Sequence, residues 1–187
     1  MTSCLRICVI FAEVKLIVEI QMNIRQVTLD DAKAINSIYN AYIAETTITF
    51  ETEELSDAEM LARIKELSAH YPYFVCDIDG VVVGYCYAHP WKARAAYQHT
   101  YETTIYLSPA YQHQGIGSAL MHRLIDECRN RGVHALIACI TDGNAASNAL
   151  HEKLGFEQVS HFREVGMKFG KLLDVVDYEL ILKYKNE

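Results

Sequence analysis

The stretch that most restricts the fold runs from Thr103 to Gly132, TTIYLSPAYQHQGIGSALMHRLIDECRNRG. It opens with β-branched and aromatic residues, breaks at Ser108-Pro109 and tightens at Gly115-Ile116-Gly117. Ile116, Leu120, Leu124 and Cys128 then recur at helical spacing up to Gly132. The pattern predicts a strand, a glycine turn and an amphipathic helix that stops on glycine. A helix that starts on glycines bares its first backbone N–H groups at the positive end of its dipole, where phosphate groups bind well. Two glycines at a strand–helix junction are equally what a plain tight turn requires. The dinucleotide fingerprint fails, because Leu120 stands where its third glycine belongs. The nucleotide P-loop fails too, since no lysine separates Gly117 from Ser118.

At 187 residues, with 51% apolar and 22% charged residues, the chain suits one globular domain with a sizeable core. The formal net charge of −7 argues against a nucleic-acid or anionic-membrane surface. Cys4, Cys8, Cys76, Cys86, Cys128 and Cys139 form no C-x-x-C pair and read as buried, reduced thiols of a cytoplasmic protein. Residues 1–21 have apolar runs broken by Arg6, Glu13, Lys15 and Glu19, too short for a membrane span and without a signal-peptide cleavage site. They are read as an N-terminal appendage, with residues 22–187 as the single domain.

Asn23–Val27 reads as a strand. Thr28 to Asp31 resembles a capping box, and the helix after it places Ile35, Ile38, Tyr39, Tyr42 and Ile43 on one side. Ser56 to Glu59 is a second capping box, starting a helix with Met60, Leu61, Ile64 and Leu67 inward. Thr46–Glu54 between them lacks helix signals. Tyr73–Asp77 and Val81–His89 form a hairpin through Asp79-Gly80, and Thr100–Leu107 is the next strand. His134–Ile140 reads as a strand buried on both faces, Ala145–Leu154 as a helix stopped by Gly155, and Phe156–Phe162 and Val175–Leu182 as strands. The order, hairpins early and a strand–helix–strand unit late, points to an α+β or mixed α/β fold around one sheet.

Gln112-x-x-Gly115-x-Gly117 after a strand, with Asn144 and His151-x-x-x-Gly155-Phe156 downstream, resembles the GNAT superfamily of acetyl-CoA-dependent N-acetyltransferases. The resemblance implies a mixed, mostly antiparallel central sheet flanked by helices. It implies that Gln112, His113, Gln114, Gly115, Ile116, Gly117 and Ser118 hold the coenzyme A pyrophosphate. Ile105, Tyr106 and Leu107 would pair with the pantetheine arm, which Asn144 approaches. Pro90 to Arg94 (PWKAR), Tyr101 to Thr104 (YETT), Ser147–Phe156 and Val165–Gly170 with Asp174-Val175 resemble, more narrowly, the phosphinothricin and methionine sulfoximine acetyltransferase group. Two departures stand out: Leu172 replaces a tryptophan of many relatives, and Glu51 an arginine of some herbicide-detoxifying members.

Acetyl transfer to an amine requires the ammonium to lose a proton. A glutamate in a Thr/Tyr-rich strand either faces solvent or has a raised pKa suited to that task. The match of Glu102 to the acidic residue of the group's motif implies the second. His151, seven residues after Asn144 on the same helix face, stands where many superfamily members carry a tyrosine that protonates the leaving thiolate. A histidine there suits a proton donor or relay. Lys92 and Arg94 read as a solvated basic loop, and the resemblance places them on the α-carboxylate of an amino-acid acceptor. Tyr97 and Phe50 would wall the site, Thr103 and Thr104 line it, and a homodimer is implied. The histidines show no H-E-x-x-H, so no metal is expected.

The reading is an N-acetyltransferase that acts directly, in a ternary complex, on the α-amino group of a small amino acid or analogue. The alternatives are another amine (a protein N-terminus, a polyamine, an aminoglycoside) or a non-catalytic acyl-CoA-binding module.

Overall fold

The computed structural model describes residues 5–7 and 20–182. The expectation that residues 1–21 form an appendage falls mostly outside them. In chain order the elements are β1 (Leu5–Ile7), β2 (Ile20–Gln26), α1 (Ala32–Glu45), α2 (Asp57–His70), β3 (Tyr73–Ile78), β4 (Val81–Pro90) and β5 (Thr100–Leu107). These are followed by α3 (Ile116–Asn130), β6 (Ala135–Thr141), α4 (Ala145–Lys153), β7 (Glu157–Gln158), β8 (Phe162–Lys168) and β9 (Lys171–Ile181). One mixed sheet runs β1-β2-β3-β4-β5-β6-β9-β7, with β8 also paired to β9. Every pairing is antiparallel except β5 with β6.

The sheet is sandwiched because its central strands are apolar on both sides. Under α3, whose stripe Ile116, Leu120, Leu124 and Cys128 is fully buried, lie Phe74, Cys86, Leu136 and Tyr178. Under α1 and α2, Ile35, Ile38, Met60 and Ile64 meet Tyr73, Val75 and Tyr85. Both capping boxes form, and Ser56 accepts the Glu59 N–H while Glu59 reaches back to the Ser56 N–H at 2.8 Å. Gly132 ends α3 with φ +74°, a left-handed conformation that glycine adopts without a Cβ clash.

Four local expectations are corrected. Leu61 is exposed, since it sits one residue round the helix from Met60, off the Met60–Ile64 stripe. Phe156–Phe162 is not one strand: β7 spans only two residues, and β8 starts afresh at Phe162. β9 begins at Lys171, four residues before the expected Val175, because a hairpin turns at Phe169-Gly170 (φ +50° and +71°), a pair outside the usual turn signals. Cys139 is exposed, although β6 is otherwise buried.

Candidate active site

β5 and β6 are hydrogen-bonded only at Thr100–Ala135, Tyr101–Leu136 and Glu102–Ile137. Thr103 Oγ1 donates to the Ile137 carbonyl at 3.3 Å, a last staple across the pair. Beyond it the strands part. The gap is a cleft of about 670 Å³ between Thr103–Leu107 on one side and Ala138–Thr141 on the other. Exposed Cys139 lies on this stretch of β6, paired to Asp177 of β9 but to nothing on β5, and burial still pushes its thiol up to about 12.

At the open end of β5 the chain turns into α3. His113 (φ +59°) and Gly115 (φ +82°) are both left-handed, and Gly115 caps the helix. The first helical bond is Ala119 N–H to Gly115 C=O, so the amides of Ile116, Gly117 and Ser118 precede the ladder. A Cβ on Gly117 would lie 3.4 Å from both Leu107 and Leu150, which keeps this turn tight against the cleft wall. The Leu107 carbonyl accepts from the Tyr42 hydroxyl at 2.7 Å, and Gln112 Nε2 donates to that hydroxyl at 3.0 Å. A strand residue's N–H and C=O point the same way, so the Leu107 N–H also faces the cleft. These features fit a diphosphate-bearing, amide-bearing ligand.

At the closed end stands Glu102, about 17 Å along the strand from Leu107 at the usual rise. Burial raises its pKa, the neighbouring His89 opposes the rise, and Asp177 adds to it. His89 Nε2 is 3.9 Å from Glu102 Oε1.

The loop between α1 and α2 closes one wall through Ile48, Thr49 and Phe50. Thr141 Oγ1 donates to the Thr47 carbonyl at 2.9 Å, and Tyr39 and Thr49 share a hydroxyl bond of 2.9 Å. From the far hairpin, Lys168 Nζ donates to the Thr49 carbonyl at 2.8 Å, from a side chain only 3% exposed. A Cβ on Gly166 would collide with the Phe50 ring, so that ring rests directly on the β8 backbone.

His151 lines the cleft from α4, 2% exposed, with its ring edge-on to Phe156. Nδ1 lies 2.8 Å from the Ser147 carbonyl, which can only accept, so Nδ1 carries the hydrogen and Nε2 is a bare, buried acceptor without a partner. Burial lowers the ring's pKa, with the Ser147 contact opposing. A neutral ring in this tautomer has no proton to give from Nε2. Asn144 lines the cleft and caps α4, its Oδ1 accepting the Ser147 N–H at 3.2 Å.

The cleft thus gathers Phe50, Glu102, Thr103, Thr104, Ile105, Tyr106, Leu107, Gln112, His113, Gly115, Gly117, Ser118, Asn144 and His151. It does not gather the rest. Ile116 is buried in the core, and Gln114 turns back to the Ala110 carbonyl. Lys92, Arg94 and Tyr97 are not among the lining residues, and Lys92 Nζ lies 3.7 Å over the Trp91 ring. Tyr42, Thr49 and Lys168 escaped sequence reasoning. Tyr42 fell in a core stripe, and Lys168 meets its partner 119 residues away. Outside the cleft, Asp142, His161 and Asp174 bring ligand atoms within 4.8 Å of one another, but His161 and Asp174 already bond each other at 2.8 Å.

A split mixed sheet with a glycine turn at its open end defines an acyl-transferase architecture. Residues 35–156 match the acetyltransferase (GNAT) family, and the chain belongs to it, as an N-acetyltransferase. Phosphinothricin N-acetyltransferase of Streptomyces viridochromogenes is 38% identical over 154 residues, covering 82% of this chain and 84% of that protein. The L-methionine sulfoximine/L-methionine sulfone acetyltransferase of Salmonella typhimurium is 36% identical, covering 86% and 95%. The structure of yncA from Salmonella typhimurium with its cofactor acetyl-CoA superposes with a TM-score of 0.85 at 35% identity, over 89% of this chain and 96% of that one.

Proposed function

We propose that this enzyme moves acetyl from acetyl-CoA to the α-amino group of a small amino acid or analogue of the phosphinothricin or methionine sulfoximine/sulfone type, directly and in a ternary complex. The observation that carries this reading is the parting of β5 from β6, with bare helix amides at its open end and a half-buried carboxylate at its closed end. The amides of 113–118 hold the diphosphate, and the Leu107 N–H stabilises the developing oxyanion. Bound acetyl-CoA supplies an activated acyl group. Glu102 takes one proton from the acceptor ammonium through intervening water, since it stands well down the strand from Leu107, and so frees the nitrogen lone pair. A second proton on the attacking nitrogen leaves as the amide forms and neutralises the departing sulfur. His151 is therefore not required as an acid, and we assign it to holding α4 against Phe156.

Lys92 or Arg94 remains the proposed contact for the acceptor carboxylate and Tyr97 a wall of its site, on a loop outside the single-chain cleft lining. A homodimer accounts for them and for the exposed apolar Phe162, Val165, Met167, Phe169 and Leu172 on the β8–β9 hairpin. Free thiols at Cys76, Cys86 and Cys128 accord with a cytoplasmic location, and among the described residues no helix is long and apolar enough to cross a membrane.

A thiol-release screen with acetyl-CoA tests the reading. Release is expected with methionine sulfoximine, methionine sulfone, phosphinothricin or a protein amino acid. Release only with polyamines, aminoglycosides or peptide N-termini overturns the acceptor class. Calorimetric binding of acetyl-CoA with no release for any amine makes the chain a binding module.

A further inference from the structure

Each turnover by the route above leaves one net proton on Glu102. The acceptor enters as an ammonium with three N–H bonds and leaves as an amide with one. One of the two lost protons ends on sulfur and the other on the carboxylate. The Glu102 side chain, 30% exposed, lines the cleft, and it must shed that proton before it can act again. Besides the cleft itself, the structure places one side-chain acceptor for it across the strand pair.

His89 sits on β4 directly opposite Glu102. Its Nδ1 is 3.1 Å from the Pro90 carbonyl, an acceptor only, so Nδ1 carries the ring hydrogen. That leaves Nε2 with a free lone pair, and Nε2 is the atom that faces Glu102 Oε1 at 3.9 Å. This is not a hydrogen bond, but a turn of the glutamate side chain closes the remaining gap of about 1 Å. The imidazole is 29% exposed.

We propose that His89 is the proton-relay residue of this enzyme, acting through Glu102. The inference rests on the reading of Glu102 as the base. When the carboxylic acid turns to His89, its O–H bond breaks and an Nε2–H bond forms. The imidazolium then loses a proton to water and returns to the neutral tautomer. While it carries the proton, the imidazolium opposite also lowers the pKa of the carboxylate. The other groups that face the pair are Asp177 from β9, Cys139 from β6, and Tyr87 from β4, whose ring stands 5.9 Å from that of His89. Asp177 disfavours the carboxylate's charge, and burial pushes the Tyr87 and Cys139 protons on more tightly. No local sequence signal marks this pair, since His89 and Glu102 are brought together only by the β4–β5 register.

The test is His89→Gln beside Glu102→Gln and the double variant, each assayed for turnover across pH with and without added imidazole. For His89→Gln the expected result is a kcat lower by about tenfold, an acid limb of the pH profile moved upward, and recovery of turnover by free imidazole. In the Glu102→Gln background the histidine change is expected to add nothing and imidazole to restore nothing. A His89→Gln enzyme with unaltered kcat and pH profile overturns the relay. So does a loss of kcat that imidazole leaves untouched and that persists in the double variant, which marks a structural role. If Glu102→Gln itself keeps full turnover, the base assignment falls instead, and the relay with it. His89→Asn, smaller and still polar, repeats the test should the glutamine variant melt below assay temperature.

Discussion

Glu102 holds a charge where burial resists it, with His89 easing and Asp177 sharpening that resistance. Its native pKa therefore lies above the unfolded value, so the native state binds more protons in the window between the two. Stability falls as pH climbs through that window. Glu102→Gln is thus expected to raise the melting temperature at neutral pH while lowering turnover by roughly 10²–10⁴. Thermal melts and initial rates on one preparation check both. A loss of turnover together with a loss of stability would mark Glu102 as a structural residue. The same direction sets the wild-type profile: kcat/KM declines as pH drops through a limb above the ordinary carboxylate range. At this scale the sequence was a good guide to identity and a poor one to state. It marked Glu102 and His151 alike as titrating groups. Only the packing separates them: burial biases the Glu102 carboxylate towards its protonated form and the His151 ring towards its neutral one, with the Nδ1 hydrogen committed to Ser147.

The eleven-residue connection from Thr46 to Ser56 has no regular structure, yet it forms a wall of the active site. Its ends are held by α1: Asn40 bonds both polar groups of the Leu55 backbone, and Thr46 bonds back to Tyr42. Its middle depends on β8, through the Lys168–Thr49 bond and the Phe50 ring lying on Gly166. Lys168→Met is expected to raise the KM for the acceptor by about tenfold with the KM for acetyl-CoA nearly constant, because only the acceptor end loses its support. Steady-state kinetics with each substrate varied in turn gives the answer, and equal changes in both constants would place the lysine elsewhere. Helices and the glycine turn were legible because their signals are local: two capping boxes, a buried stripe, Gly132. The β8–β9 hairpin and the loop's anchors were not. Val165 to Gly170 offered only family likeness, and a lysine in a sequence window does not reveal a carbonyl on the far side of the fold.

Across the whole molecule, the cleft opens between β5 and β6, while β1 lies at the opposite margin of the sheet, four strands from β5. The architecture was readable because apolar runs on both faces of the central strands demand helices on each side. The parting of two neighbouring strands was not, since nothing in Thr103–Leu107 or Ala138–Thr141 differs from ordinary paired strand. Removal of residues 1–21 is expected to leave turnover, melting temperature and oligomeric state as they were. Rates, melts and sedimentation of the shortened protein beside the full chain check it, and a fall in any of the three shows that the segment belongs to the working enzyme.

The separation past Glu102 has one more effect. It keeps two raw backbone margins indoors, where bare margins elsewhere invite foreign strands and runaway stacking. Three residue pairs pinch the gap at its base, and the wall carrying Phe50 lines one side of it. A stiff strand from another polypeptide finds no room to lie down between them, whereas a slim thread studded with amides does. The notch is thereby a filter, which lets the protein leave its own sheet unfinished without becoming sticky.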